Sequence, residues 1–211
     1  MTKAVFLDAL GTLVELEPPW VFLRERVPER ISDERLVAAV RTEMDYYKEH
    51  AHEGRDPGSL ADLRLRCSEL LSRELGARIT VDELVASVRM RAYPDAEPAL
   101  RALRDRALKL VVVSNWDCSL GGVLERCGLA EQLDGAISSA EAGARKPDPA
   151  IFEPALELAG CGPGEALHVG DTAAEDVEGA RAAGIRVLLL DRKGGGEISS
   201  LAEIEEHLRD E

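Results

Sequence analysis

Short runs of apolar residues alternate with longer amphipathic stretches from about residue 93 onward. The apolar runs are continuous, which is typical of strands buried on both faces, and they cover 3–7, 109–114, 134–138, 166–170 and 185–190. Helical patterns cover 95–106, 118–127, 149–160 and 173–183, with a last amphipathic helix near 200–209. This alternation predicts an α/β fold, a Rossmann-like parallel sheet flanked by helices.

Residues 15–92 interrupt this alternation with patterns that are helical throughout. The predicted helices lie at 20–27 and 33–48, at 59–75, and from Thr80 onward, where Thr80 and Glu83 have the spacing of a capping box. We therefore predict two parts: a core of residues 1–14 and 93–211, and an inserted α-helical cap of residues 15–92.

Charge and composition narrow the classes of partner. A net charge of −14 argues against a nucleic-acid partner, because phosphate backbones are bound through basic surfaces. With 31% charged residues and no run near the ~18 apolar residues of a membrane span, no membrane partner is expected. No secretory signal is visible and the four cysteines form no C-x-x-C pair, so we expect reduced thiols and a cytoplasmic location.

Polar residues follow several predicted strands. Ligands of open α/β sheets bind beyond the carboxyl ends of the strands, so we expect these side chains to meet at one edge. Each residue taken alone is typical of a turn, a helix cap or a solvated surface, and only the ordered set indicates a site. In chain order the set is Asp8, Ser114, Asn115, Lys146, Asp171 and Asp176.

This combination of groups suits phosphoryl transfer. Asp8, Asp171 and a main-chain carbonyl are hard oxygen ligands of the kind that hold Mg²⁺. A carboxylate nucleophile attacking a phosphate ester meets a repulsion of about 4 kcal/mol per pair of unit charges at about 4 Å. Mg²⁺ and Lys146 would offset that repulsion while Ser114 holds the phosphoryl oxygens, so that Asp8 forms an aspartyl-phosphate.

Four segments resemble the motifs of the haloacid dehalogenase superfamily of hydrolases, most of whose members are phosphatases. They are "DALGTL" (8–13), "VVSN" (112–115), "KPDPAIF" (146–152) and "HVGDTAAED" (168–176). The resemblance implies Asp8 as nucleophile, Lys146 as the charge-neutralising lysine, and phosphate binding by Ser114 and Asn115. It also implies a Mg²⁺ site, whose ligands would be Asp8, the backbone oxygen of Leu10, Asp171 and the metal-associated Asp176.

The first motif departs from the phosphatase pattern at Leu10, where those enzymes carry an acid that shuttles a proton. General acid–base help is worth roughly 10²–10⁴-fold in rate. A first hypothesis is therefore a Mg²⁺-dependent phosphatase of small phosphorylated metabolites that borrows an acid or base from the cap, or prefers good leaving groups. In the cap segment "EHAHEGRD", the candidates to overhang the site are His50, His52, Glu53 and Arg55. Histidine suits proton transfer near neutral pH, and Arg55 could bind a substrate anion.

Three alternatives stay open at this stage. The first is a 2-haloacid dehalogenase, an enzyme that also lacks the second acid, and Trp116 beside Asn115 is compatible with it. Those enzymes bind no metal, however, and their fourth motif lacks the "GDT…D" pattern that this sequence has. A catalytically impaired descendant would bind a phosphorylated ligand or a protein. A phosphonate-cleaving relative would need a cap lysine, for which Lys48 is the candidate. Substrate identity and oligomeric state are not predicted.

Overall fold

A computed structural model describes residues 1–208 of the chain. Its strands are β1 (Ala4–Leu7), β2 (Val14–Leu16), β3 (Met90–Ala92), β4 (Lys109–Ser114), β5 (Gly135–Ser138), β6 (Ala166–Gly170) and β7 (Arg186–Leu189). Five of them form a parallel sheet in the order β5-β4-β1-β6-β7. The strand carrying the first motif is therefore central, with a neighbour on each side.

Ten α-helices surround or extend from this sheet in the described residues. They are α1 (Pro19–Leu23), α2 (Asp33–His50), α3 (Pro57–Leu75), α4 (Val81–Ser87), α5 (Ala96–Asp105), α6 (Leu120–Arg126), α7 (Ser139–Ala142), α8 (Glu153–Ala159), α9 (Glu178–Ala182) and α10 (Ile204–His207). Short 3₁₀ turns precede α8 and α10, and a π-helical turn, Ala173–Val177, precedes α9. Within residues 1–208, no helix is both long and apolar enough to cross a bilayer.

The sheet is buried on both faces, as its apolar runs predict. Successive residues of β1 point into two different clusters: Val5 and Leu7 pack with α5, α6 and α10, whereas Ala4 and Phe6 pack with α8 and α9. All four residues of β1 are fully buried. The α/β fold class with a Rossmann-like parallel sheet is confirmed.

Element boundaries agree with the sequence patterns to within about one residue for the five sheet strands. The patterns at 149–160 and 173–183 are helical, but each begins with a non-α turn before α8 and α9. The last predicted helix, 200–209, corresponds to a 3₁₀ turn followed by α10, and its final residue lies outside the described part of the chain. The short helix α7 was not predicted; it begins at a capping box of Ser138 and Glu141.

Helices α1–α4 pack around a hydrophobic cluster of their own, which includes Leu23, Leu36, Leu63 and Leu71. The capping box of Thr80 and Glu83 at the start of α4 is confirmed. The segment is not helical throughout, however, because β2 and β3 pair antiparallel at its two ends. These strands have three residues each, with Glu15 and Arg91 forming an ion pair between them, so no apolar run marks them in the sequence.

Candidate active site

Asp8 lies at the carboxyl end of the central strand β1. Its backbone N–H donates to the Val169 carbonyl of β6 at 2.9 Å, which continues the sheet pairing by one residue. Its side chain is buried, and Oδ1 accepts hydrogen bonds from the Ser114 hydroxyl at 2.9 Å and the Lys146 ammonium at 2.6 Å. Both side-chain hydrogen bonds in the described structure go to Oδ1, which leaves Oδ2 available for bond formation.

Lys146 holds two carboxylates at once. Its side chain is 1% exposed, and Nζ donates to Asp8 Oδ1 at 2.6 Å, to Asp176 Oδ1 at 2.6 Å and to the Val113 carbonyl at 3.0 Å. An ammonium has three protons, so each finds an acceptor. Burial alone would lower the pKa of Lys146, but the charges of Asp8 and Asp176 raise it. The lysine is therefore a fixed positive charge at this edge of the sheet.

Asp176 joins this centre from the π-helical turn after β6. Beyond Lys146, its carboxylate accepts from His168 Nε2 at 2.8 Å and from the Thr172 backbone N–H at 3.0 Å. Burial opposes ionisation, yet the Lys146 charge and the His168 hydrogen bond hold the pKa of Asp176 well below its usual range. Asp176 is thus a permanently charged partner of the lysine.

His168 is a buried residue of this centre that the sequence analysis did not identify. It lies in the middle of β6, and Phe152 packs edge-on against its ring. Its Nδ1 has no partner in the described structure, so we place the ring proton on Nε2, where it donates to Asp176. A histidine within the apolar run "ALHVG" was the only signal available in the sequence.

The loops after β1 and β6 touch at Gly11 and Asp171. A Cβ built at Gly11 would lie 2.0 Å from Asp171 Oδ2, and Gly11 has a φ of +87°, so a side chain is excluded there by both space and backbone conformation. This approach brings carboxylate oxygens of Asp8, Asp171 and Asp176 within 4.8 Å of one another. We call these three residues the carboxylate cluster.

The carboxylate cluster carries more negative charge than Lys146 alone can neutralise. Burial raises the pKa of Asp8 to about 6, and the charge of Asp176 contributes in the same direction. Burial and the Asp176 charge also raise the pKa of Asp171. Three crowded oxygen ligands with an uncompensated charge fit a hard divalent cation such as Mg²⁺. Within residues 1–208 the Leu10 carbonyl accepts no backbone hydrogen bond and is free to add a fourth oxygen.

Asn115 supports the loop that carries Lys146. Its Oδ1 accepts from the Lys146 backbone N–H at 2.8 Å, and its Nδ2 donates to the Lys146 carbonyl at 3.0 Å and to Glu175 Oε2 at 2.9 Å. Ser114, by contrast, donates directly to Asp8. In this structure, Asn115 helps to position Lys146, and Ser114 and Lys146 both donate to the carboxylate of Asp8.

A cavity of about 400 Å³ opens over these residues and extends between the core and helices α2–α4. Its lining includes the carboxylate cluster, Ser114 and Asn115, together with apolar residues such as Leu10, Leu16 and Met90. Leu10 thus lies at the cavity, at the motif position where the resemblance to phosphatases implies an acid. Trp116 and Lys48 also line the cavity.

The four residues predicted to overhang the site do not line this cavity. His50 stacks on Tyr46 and contacts its backbone carbonyl, and Glu53 pairs with Arg66. Arg55 is exposed, in the loop before α3. Helices α2 and α3 instead present Glu43, Met44, Tyr47, Arg64 and Cys67 to the cavity. Of the four predicted residues, only His50 lies on one of these helices, and the other three lie in the segment between α2 and α3.

Comparison with known proteins identifies the class of protein that has this fold and this charged edge. The model of the haloacid dehalogenase-like hydrolase family matches residues 2–184, so the chain belongs to that family and is a hydrolase. The family resemblance drawn from the four motifs is confirmed.

Two relatives illustrate the family membership. The chain is 47% identical over 95 residues to the haloacid dehalogenase-like hydrolase domain-containing protein 3 of Bos taurus, covering 45% of this chain and 38% of that protein. It is 40% identical over 126 residues to Phosphatase MT3486 of Mycobacterium tuberculosis, covering 57% of each. The matched stretches thus span about two fifths to three fifths of these relatives.

Solved structures match the whole chain. A HAD phosphatase from Thermococcus onnurineus is 25% identical, with a TM-score of 0.70 and coverage of 98% of both chains. The L-2-haloacid dehalogenase from Xanthobacter autotrophicus is 23% identical, with a TM-score of 0.76 and coverage of 99% of both chains. The second likeness concerns the fold alone, so the choice between the two chemistries depends on the site.

Proposed function

We propose that the protein is a Mg²⁺-dependent phosphatase of small phosphorylated metabolites that forms an aspartyl-phosphate at Asp8. The observation that carries this proposal is the buried ammonium of Lys146 between Asp8 and Asp176, beside a third carboxylate at Asp171. A dehalogenase has no use for a third clustered acid, whereas a divalent cation does. The name of the Mycobacterium tuberculosis relative supports the same reaction class.

The reaction assigns a task to each residue of the site. Asp8 Oδ2 attacks phosphorus, the bond from phosphorus to the ester oxygen breaks, and the leaving group departs with the bonding electrons and takes its proton from water. Lys146 keeps Asp8 ionised, and Ser114 turns its hydroxyl towards a phosphoryl oxygen. Water then attacks the acyl phosphate, which releases inorganic phosphate and regenerates Asp8. When bound by Asp8, the Leu10 carbonyl, Asp171 and the nearby Asp176, Mg²⁺ supplies positive charge to the phosphoryl oxygens.

Leu10 limits the esters that react well. The departing alkoxide needs a proton, and neither Leu10 nor the four predicted cap residues supplies one at the cavity wall. We therefore expect aryl and acyl phosphates, whose leaving groups are weak bases, to react faster than alkyl phosphates.

The proposal includes residues 15–92 as a cap, because helices α1–α4 have their own hydrophobic cluster and form one side of the cavity. It also includes a cytoplasmic location, in keeping with four free cysteines.

The decisive experiment is a panel of phosphate esters assayed with Mg²⁺ and with chelator. Phosphate release that requires the cation, and that increases as the leaving group becomes less basic, supports the proposal. In parallel, chloride release from 2-chloropropionate is measured, since the apolar Leu10 at the cavity wall favours a dehalogenase as the second candidate. Halide release without phosphate release would replace the first proposal by the second. No turnover of either kind would indicate a catalytically impaired, ligand-binding descendant.

A further inference from the structure

Glu43 is a buried acid in the wall of the cavity. The wall in question, which we call the helical wall, consists of Val40, Glu43, Met44, Tyr47 and Lys48 on α2 and of Arg64 and Cys67 on α3. Glu43 is only 6% exposed to solvent. A glutamate is almost never buried to this degree without a partner, so its neighbours are informative.

Glu43 has no cationic partner in the described structure. Its carboxyl interacts with the Cys67 thiol, and no lysine, arginine or histidine among residues 1–208 forms an ion pair with it. Burial raises the pKa of the Glu43 carboxyl, as expected when charge is not compensated. The other buried acids of the cavity differ: Asp8 and Asp176 share Lys146, and Asp117 accepts from the Tyr47 hydroxyl at 2.7 Å.

Glu43 lines the same cavity as the carboxylate cluster. Tyr47 anchors α2 to Asp117, in the loop that follows Ser114 and Asn115. Glu43 precedes Tyr47 by four residues, which is about 6 Å along a helix, on the side leading away from this anchor. Apolar groups that include Leu10, Met44 and Val88 also line the cavity.

We propose that Glu43 binds a primary ammonium group of the substrate, at the end of the molecule opposite its phosphate. This inference rests on the proposed function and adds a substrate class to it: phosphate monoesters whose organic part ends in an amine beyond a short apolar spacer. A carboxylate buried without a cationic partner destabilises the folded protein. The ammonium group of a ligand would offset this cost through charge-assisted hydrogen bonds. The apolar residues of the cavity lining suit the methylene groups of such a spacer.

The first test compares ω-aminoalkyl phosphates of two to six carbons with n-alkyl and ω-hydroxyalkyl phosphates of equal length. We expect kcat/KM for the best amine to exceed that of its alkyl counterpart at least tenfold. Glu43→Gln, which keeps the shape and removes the charge, should bring this ratio close to one. Asp45→Asn, on the exposed side of the same helix, removes one charge outside the cavity and should leave the ratio unchanged.

A second readout needs no turnover. Melting temperatures are measured with n-alkylammonium chlorides against sodium chloride at matched ionic strength. A rise in Tm for the wild type and Asp45→Asn, but not for Glu43→Gln, supports the ammonium site even if no ester is hydrolysed, in which case only the proposed function fails. Hydrolysis with no preference for amines, an equal preference for hydroxyl esters, or an undiminished preference in Glu43→Gln would overturn this inference and leave the phosphatase proposal intact.

Discussion

Lys146 and the two carboxylates that it contacts show how much of the chemistry depends on single residues. Asp8, Lys146 and Asp176 are separated by 138 and 30 residues in the sequence, yet the same ammonium lies 2.6 Å from both acids. Removal of one member of a buried charged group leaves the others uncompensated, which is strongly destabilising. Substitutions that preserve the shape of Asp8 are therefore the informative ones.

Asp8→Asn should abolish turnover and leave the fold intact. The amide has the size of the carboxylate and can still accept from Lys146 and Ser114, but its oxygen is a poor nucleophile. Phosphate release should fall by several orders of magnitude while the circular dichroism spectrum and a cooperative melting transition are retained. Phosphatase activity that persists in this variant would contradict the assignment of the nucleophile.

Leu10→Asp should raise phosphatase activity at least several-fold on alkyl phosphates. The Leu10 side chain already lines the cavity, so an aspartate there would face the leaving oxygen and restore the missing proton shuttle. Aryl phosphates, whose leaving groups need less help, should gain less. Rates measured for both ester classes check this, with Leu10→Asn as the matched control that cannot transfer a proton. Unchanged alkyl-ester rates would mean that another group already supplies the proton.

Glu43 should make stability depend on pH in a defined direction. Because burial raises its pKa in the folded state, its contribution is fully present below the ordinary value of about 4.3 and is lost as pH rises through the folded-state pKa. Glu43→Gln cannot titrate, so its Tm relative to wild type should increase between pH 4 and pH 8. Thermal melts across this range test the sign. A difference that stays constant with pH would show that the carboxyl does not titrate abnormally.

Sequence motifs located the residues at the strand ends, but not the neighbours that complete the site. The loop positions of Asp8, Ser114, Lys146 and Asp171 follow from the rule that parallel strands present their carboxyl ends at one edge. Glu43 illustrates the opposite case. Which side of α2 faces the cavity depends on how α2 and α3 pack against each other, and neither helix signals that choice by its residue types.

At the scale of elements, α2 is attached to the core where its last turns meet the loop after β4. The Tyr47 hydroxyl donates to Asp117, and the Gly54 carbonyl just beyond α2 accepts from the Cys118 backbone N–H at 2.8 Å. Arg145 adds a hydrogen bond to the Glu49 carbonyl at 3.3 Å. These contacts hold the helical wall over the loops that carry Asn115 and Lys146.

Tyr47→Phe should therefore destabilise the protein by about 1–3 kcal/mol, the usual cost of leaving a buried polar group without its partner. Asp117 is 2% exposed and would keep only the Ser119 backbone N–H as a donor. Urea denaturation of Tyr47→Phe and of Tyr46→Phe provides the comparison, because Tyr46 contacts Arg66 within the helical segment and not the core. Equal stabilities of the two variants would argue against an anchoring role of Tyr47.

Element prediction succeeded where an apolar run was long and failed where pairing alone defines the element. The five sheet strands are apparent because buried parallel strands are uniformly apolar. Strands β2 and β3 have three residues each, and apart from the buried Val14 their side chains are exposed or half-buried, so only their mutual hydrogen bonds distinguish them from loops. The π-helical turn before α9 positions Asp176 towards Lys146, and no residue pattern separates it from an α-helix.

At the scale of the whole molecule, a net charge of −14 sets the background in which the site operates. The carboxylate cluster adds local negative charge to that field, and binding of a divalent cation should therefore stabilise the folded protein. Screening acts over about 10 Å at 0.1 M salt, so effects of ionic strength must be separated from specific binding.

MgCl₂ should raise Tm relative to chelator in NaCl of matched ionic strength. Each tenfold increase in free Mg²⁺ above its Kd should add about 1.4 kcal/mol to the free energy of unfolding. Asp171→Asn removes one ligand from the carboxylate cluster and should suppress most of the rise. Differential scanning fluorimetry over a Mg²⁺ titration measures both. The same rise in the Asp171→Asn protein would assign the cation to another place.

Under the proposed division into a core and a cap, the antiparallel pairing of β2 with β3 makes residues 15–92 exchangeable. Val14 lies opposite Ala92, so the chain leaves the sheet domain and returns to it at adjacent points, about 5 Å apart. A tight hairpin would close that gap, and helices from another hydrolase would fit between the same two ends. Chimeras joined there would acquire new substrate preferences from the donor and keep the reaction centre of the recipient.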